Sequence, residues 1–221
     1  MENNLGKIYY NILIPDLQLT LGFLKGGRVG KRYKHNFIFH VMSFEDNKLE
    51  TTYESKNFLV NLYFRWKVDK AIRMAKLKKD DVILDFGCGG GWLERKLSGY
   101  NITGFDNNPE KTQIDDYRKV KPTKIFALDV FEHIPIKETK KILDNFKKMG
   151  SHFELIVSQP TENWISRKIR KMVGKAEVPA EHITRYEEII KLLRENFTLV
   201  KKANFFTVCH IFVFKWIRIN I

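Results

Sequence analysis

Apolar residues in this chain fall into short continuous runs that alternate with stretches of helical spacing. The runs predict strands over 82–86, 101–106, 124–129 and 153–158, and the spaced stretches predict helices over 91–98, 109–119, 136–149 and 184–195. Continuous β-prone runs fit strands buried on both faces, and their alternation with helices argues for a parallel sheet with helices on both faces. Two last apolar stretches, 197–202 and 205–215, are separated by too few residues for a crossover, so they must pair as an antiparallel hairpin. Ahead of the first strand, Leu59, Tyr63, Trp66, Ala71 and Met74 recur close to a helical period and predict a helix over 57–77. The first 55 residues read differently, with Tyr9, Tyr10, Phe23, Tyr33, Phe37, Phe39, Phe44 and Tyr53 interrupted by Gly22, Gly26, Gly27 and Gly30. They predict a cap segment, 1–55, in which Phe37 to Met42 is strand-like, on a domain that spans 56–221.

Composition narrows the class. A chain of 221 residues with 43% hydrophobic content is sufficient for one well-buried domain. The late stretch from Ala203 to Phe214 stops at Lys215, short of the roughly 18 uncharged residues of a membrane span. Glu2 and Pro15 stand where a secretory signal would want basic and apolar residues, so a cytoplasmic protein is expected. Cys88 and Cys209 are too few for a disulfide framework and too isolated for a metal knuckle, and no metal site is expected.

The formal charge of +13 is concentrated. Lys25 to His35 and Trp164 to Lys175 each carry five Lys or Arg and no acid; removing these ten from 39 basic residues leaves 29 against 26 acidic ones. Such runs either solubilise a surface or face an anionic partner: phosphate groups, nucleic acid or an anionic bilayer. Within the second run, Ile165, Ile169, Met172 and Val173 gather opposite Arg167, Lys168, Arg170 and Lys171. This basic amphipathic pattern, in a lid-like insertion at about 160–180, suits a surface helix on the core, a phosphate clamp or peripheral association with an anionic membrane through 164–175.

The chemistry concentrates where the first strand ends. Asp85 leads into a loop with Gly87, Gly89, Gly90 and Gly91, and glycine lets backbone approach a ligand closely. Asp106 follows Asp85 by 21 residues at the end of the second strand, a spacing suited to both hydroxyls of a nucleoside ribose, and Asp129 closes the next strand. A dinucleotide fingerprint would need a third glycine where this chain has Trp92, which weakens that reading. The plainer alternatives are a tight turn at 87–91 and a helix cap at Asp106 ahead of Pro109.

Taken together, Val82-Ile-Leu-Asp-Phe-Gly-Cys-Gly-Gly-Gly, Gly104-Phe-Asp-Asn-Asn-Pro and Ala127-Leu-Asp-Val-Phe-Glu-His-Ile resemble, in order, motifs of the class I S-adenosylmethionine-dependent methyltransferases. The resemblance is good over about 80–160 and extends loosely to the hairpin. It implies a Rossmann-like sheet and S-adenosylmethionine as cofactor. It further implies a cofactor-binding set of Asp85, Gly87, Cys88, Gly89, Asp106, Asn107, Asp129 and Val130. In that set Gly87 and Gly89 line the methionine moiety, Asp106 holds the ribose, Asp129 and Val130 border the cofactor from beneath, and Asp85 acts indirectly. Residues 107–123 leave room for one crossover helix only, so the usual third strand is expected to be missing. The acid that would meet the adenine amino group is not assigned to a residue, Asp115 and Asp116 being read as solvated.

In-line methyl transfer needs alignment and exclusion of water more than a covalent residue. His133 is the candidate general base, with packing beside the cofactor as its alternative role; His182, Glu132 and Tyr186 are weaker candidates. The expected acceptor is an anionic small-molecule or lipid-like substrate. Nucleic acid competes on charge, yet Asp129-Val-Phe-Glu stands where base-amino methyltransferases carry Asn or Asp before Pro-Pro and an aromatic. A basic binding protein without catalysis and a nicotinamide-dependent oxidoreductase are the remaining alternatives.

Overall fold

The computed structural model describes residues 58–161, 163–164 and 182–218. The predicted cap at 1–55, its strand at 37–42, the basic run at 25–35 and most of the insertion, with the amphipathic stretch after Trp164, lie outside the described residues. By compactness the chain divides into two units, residues 1–51 and 52–221.

The second unit is built on a six-stranded sheet: β1 (Val82–Phe86), β2 (Asn101–Phe105), β3 (Lys124–Leu128), β4 (His152–Pro160), β5 (Thr198–Phe205) and β6 (Cys209–Ile217), in the order β2-β1-β3-β4-β6-β5. β1 to β4 run parallel, and β6 pairs antiparallel with both β4 and β5. The α-helices are α1 (Phe58–Ala75), α2 (Trp92–Lys96), α3 (Ile136–Met149) and α4 (Tyr186–Asn196). Strand alternation sorts the core into two layers. Ile83, Phe126, Ile156 and Val213 face Val68, Ala71 and Ala75 of α1 and Leu93 of α2. Leu84, Ile125, Leu155 and Phe214 face Leu143 and Phe146 of α3 and Ile189 and Leu193 of α4. Both faces are covered, as the periodicity predicts. No helix among the described residues is long and apolar enough to cross a membrane.

The structure corrects the sequence reading at three places. α1 buries Tyr63, Lys67, Val68, Ala71 and Met74, whereas Trp66 is 48% exposed and lies off the buried face. The hairpin turns at 206–208 rather than at 203–204, because Phe205 is drawn inward to pack on Tyr63 and pairs with Cys209.

The third correction is the crossover from β2 to β3, which contains no α-helix; a single 3-10 turn, Tyr117–Lys119, stands in the span predicted as helix 109–119. Local side-chain bonds compete with helix there. The Thr112 hydroxyl donates to Ile114 O at 2.7 Å, and Asp116 accepts from the Arg118 amide at 3.0 Å. The segment is also held to β2: the Gln113 amide donates to Gly104 O and the Gly104 amide donates to Gln113 Oε1, each at 3.0 Å. Gln113 thereby serves one backbone position where a third strand would run. Tyr117 closes the crossover against Phe86, Phe105 and Phe146.

Gln113→Ala should cost about 1 kcal/mol or less. Its specific signature is faster hydrogen exchange at the Gly104 amide, with no change at amides in β4 or β6.

Candidate functional site

In the order β2-β1-β3 the chain leaves β1 first to one side and then to the other, and a crevice opens at the carboxyl ends of these strands. The loop after β1 is shaped by its glycines. Gly87, Gly89 and Gly91 have φ of 81°, 50° and 69°, a region that side chains disfavour. The amides of Gly87 and Cys88 both donate to Phe105 O, at 2.7 and 3.1 Å, which ties the loop to the end of β2. A Cβ on Gly87 would meet Val130 Cγ2 at 2.5 Å, so this backbone lies directly on the loop after β3. A Cβ on Gly89 would meet nothing within 4 Å: beyond it is open space, as a ligand cradle requires.

Asp106, at the end of β2, accepts from the amides of Gly89 and Asn108, both at 2.9 Å. These bonds orient the carboxylate, and its remaining lone pairs suffice for the two hydroxyls of a ribose. Asn107 beside it is exposed. Asp116 is bound to Arg118 at 2.7 Å on the surface, in keeping with its reading as solvated.

Beneath the loop lies an acidic cluster only partly visible in the sequence. Asp85 is buried, and its carboxyl is pushed well above the usual range by burial first, then by Glu94, with which it shares a hydrogen bond, and by Asp106. Both Glu94 oxygens are buried, beside the Asp85 carboxyl and the Cys88 thiol. A Cβ at Gly104 would collide with Glu94 Oε1 and stand 3.0 Å from Cys88 Sγ, which explains the glycine. The Cys88 thiol is pushed up by burial and then by Glu94, Asp85 and Asp106, so it lines the cradle as an inert group.

The loop after β3 carries a second cluster. Asp129 adopts φ 56° and accepts from the Ser158 hydroxyl at 2.7 Å and from Lys67, which is 2% exposed. Burial lowers the Lys67 ammonium while Cys209 and Glu132 act in the opposite sense. Val130 leads into the 3-10 turn Phe131–His133. Glu132 is 1% exposed and accepts from Gln159 Nε2 at 3.2 Å. The segment before α4 returns here: the amides of Ile183 and Thr184 donate to Glu132 O at 2.8 and 3.2 Å, and the Thr184 hydroxyl donates to Ile134 O at 2.7 Å. The rings of His133 and His182 consequently lie 5.2 Å apart.

The structure thus gathers Asp85, Gly87, Cys88, Gly89 and Asp106 around one loop, with Val130 against it, and brings Glu132, His133 and His182 together. Tyr186 is separately engaged: its hydroxyl pairs with His210 Nδ1 at 2.6 Å. Sequence reasoning missed Lys67, Glu94, Ser158 and Gln159. Lys67 had a signal, since it lies one helical turn from both Tyr63 and Ala71 on an otherwise apolar face.

The acid pair has a testable consequence. A raised folded value means that the folded state binds the Asp85 proton more tightly; that stabilisation is complete below the ordinary value of 3.8 and is lost as pH rises through the raised one. Asp85→Asn keeps a donor toward Glu94 and escapes the loss. Its melting temperature should exceed that of wild type at pH 7, and the advantage should shrink as the pH is lowered. In the same loop, Gly87→Ala should destabilise; adding Val130→Ala should recover the clash but not the backbone cost of about 1–2 kcal/mol. Thermal unfolding of the single and double variants separates these contributions.

A family model described as a methyltransferase domain matches residues 62–202. No curated protein matches the chain. Among solved structures, it is similar to a SAM-dependent methyltransferase from Aquifex aeolicus, with TM-score 0.53 and 15% identity over 67% of this chain and 89% of that one. It is also similar to the magnesium protoporphyrin IX methyltransferase of Synechocystis PCC 6803 with bound SAM, with TM-score 0.55 and 16% identity over 87% and 100%. A third likeness is to a complex of the Haloferax volcanii Trm112 methyltransferase activator and a putative methyltransferase, with TM-score 0.57 and 11% identity over 80% and 97%. The matched span runs from α1 into β5, more than half of the chain, and the chain therefore belongs to the methyltransferase-domain family, with the fold of the class I S-adenosylmethionine-dependent methyltransferases.

Proposed function

We propose that this chain transfers the methyl group of S-adenosylmethionine to an anionic small-molecule or lipid-like acceptor. The observation that carries the reading is the cradle at the β1 switch point, with open space at Gly89, Asp106 oriented at its edge and Val130 closing its floor. These residues fit the cofactor: Gly87, Cys88 and Gly89 would receive the methionine moiety, and Asp106 with Asn107 the ribose. Asp129 and Val130 would border it. When bound, the sulfonium supplies an electrophilic methyl carbon. The chain's own part is to hold the reactants in line and dry.

On this reading His133, one turn beyond Val130, belongs on the acceptor side. An anionic acceptor is supported by a groove beside the glycine loop lined by Leu62, Arg65, Trp66, Asp69, Trp92, Arg95 and Lys96, in which Asp69 pairs with Lys96 and leaves Arg65 and Arg95 in excess. Lys96 lies 5.0 Å from the Trp92 ring and Arg65 5.9 Å. The same groove favours a second reading, a nucleic-acid acceptor, because exposed tryptophan among cations is a stacking platform for bases. Peripheral membrane association through 164–175 remains part of the lipid-like version of the proposal.

Calorimetric titration tests the donor. S-adenosylmethionine should bind in the micromolar range and NADH should not. Asp106→Ala should weaken the first by at least about tenfold, the loss of hydrogen bonds to a charged group. His133→Ala should leave it within about twofold, as expected for a residue outside the donor contacts. Absence of S-adenosylmethionine binding by the wild type would overturn the reading.

A further inference from the structure

We infer that Glu132, His133 and His182 form a binding site for a first-row divalent cation at the acceptor end of the cleft. The role of that ion toward an acceptor rests on the methyl-transfer reading; the ion site itself does not. One carboxylate oxygen and one ring nitrogen from each histidine all lie within 4.8 Å of one another. Glu132 Oε1 and His133 Nε2 are 4.0 Å apart. That is too long for a hydrogen bond, and it is near the separation of roughly 3–4 Å between ligands that each stand about 2.0–2.2 Å from one ion.

The arrangement is built rather than incidental. His133 and His182 are 49 positions apart in sequence, and backbone bonds bring them together: the amides of Ile183 and Thr184 grip the carbonyl of Glu132, the ligand residue itself. The Thr184 hydroxyl fastens the same segment to Ile134 O. Gln159 donates to Glu132 Oε2, which orients the carboxylate with its other oxygen toward His133, as groups behind a metal ligand do. Thr184 and Gln159, 4% and 1% exposed, are buried to make these bonds.

The donor set indicates the ion. Two imidazoles and one carboxylate suit Zn²⁺, Mn²⁺, Fe²⁺ or Co²⁺ and are a poor match for Mg²⁺, which prefers oxygen. Three protein ligands leave coordination positions open, the hallmark of a site that also takes a substrate atom. A cation there would attract an anionic or hydroxyl-bearing acceptor and lower the proton affinity of its oxygen, which favours transfer to oxygen. His133 would then act as a ligand rather than as the general base expected from sequence.

The test uses the full chain, freed of metal with chelator and titrated with Zn²⁺, Mn²⁺ and Mg²⁺ alone by calorimetry, with Co²⁺ absorbance as a second readout. Wild type should bind Zn²⁺ or Mn²⁺ at one per chain and Mg²⁺ far more weakly, and Co²⁺ should give d–d bands in the visible. His182→Ala and His133→Ala should each weaken binding by about 10–100-fold or more and abolish the Co²⁺ bands, and Gln159→Leu should weaken it within that range. Thermal unfolding and S-adenosylmethionine affinity report whether each variant is folded. No stoichiometric binding by wild type, or unchanged binding in folded His182→Ala, would overturn the site. If the metal binds and S-adenosylmethionine does not, the methyl-transfer reading falls while the ion site stands; the converse removes the ion site alone.

Discussion

A lysine ammonium withdrawn from water must keep an anion beside it, and the architecture of the cleft is organised around that requirement. Lys67 projects from α1 through the apolar layer to Asp129, the first residue beyond β3. An isolated charge buried to this extent would be unaffordable, and removal of one partner of such a pair typically costs about 3–5 kcal/mol. The pair therefore constrains the backbone. It accompanies the left-handed conformation of Asp129, in which the chain turns sharply enough to lay Val130 on Gly87 and carry Glu132 and His133 to the cleft. Ser158 completes the coordination of the same carboxylate and brings the end of β4 into register with it. One interaction thus joins α1, β3 and β4 at the edge where the chemistry is placed.

The second organising feature is the acid pair beneath the glycine loop. Asp85 and Glu94 are buried side by side with the Cys88 thiol against Glu94, and Asp106 adds negative charge. Such an arrangement lowers stability at neutral pH and is retained where a positive ligand compensates. On the proposed function, a cofactor carrying an ammonium and a sulfonium would supply that compensation.

The geometry of the glycine loop and Asp106 was legible in the sequence because it is local. β1, its loop, β2 and Asp106 lie within 25 residues, so glycine spacing and the terminal acids carry their geometry in linear order. The alternation of runs also yields the parallel core and the hairpin. What the sequence did not disclose depends on contacts between distant segments. Lys67 and Asp129 are 62 positions apart, and Ser158 is 29 from Asp129. Glu94 looks like an ordinary first-turn acid of a short helix until Gly104 packs against it. The crossover after β2 was misread for a related reason: 109–119 has helix-compatible residues, but the bonds from Gln113 to Gly104 and the burial of Tyr117 outweigh weak local propensity.

This division between local and distant contacts has a functional counterpart. On the proposed function, the groups for the methyl donor hang from β1 and β2 with Asp129 and Val130 bordering them, and those for the acceptor from the turn after Val130, from β4 and from the segment before α4. The loops after β1 and β3 meet where Gly87 lies against Val130. A short sheet edge beyond β2 fits the same logic. Capping that edge with Gln113 instead of another strand removes nothing from the donor loop, whose anchors are Phe105 O and Asp106. On the proposed function, acceptor specificity falls to the segment between β4 and α4. Its entry is fastened to the hairpin turn by Thr161, and its exit to Glu132 by Ile183 and Thr184. Both ends of that segment are consequently anchored at the carboxyl edge of the sheet, and its exit joins the cluster of Glu132, His133 and His182, the place the proposed function gives to the acceptor.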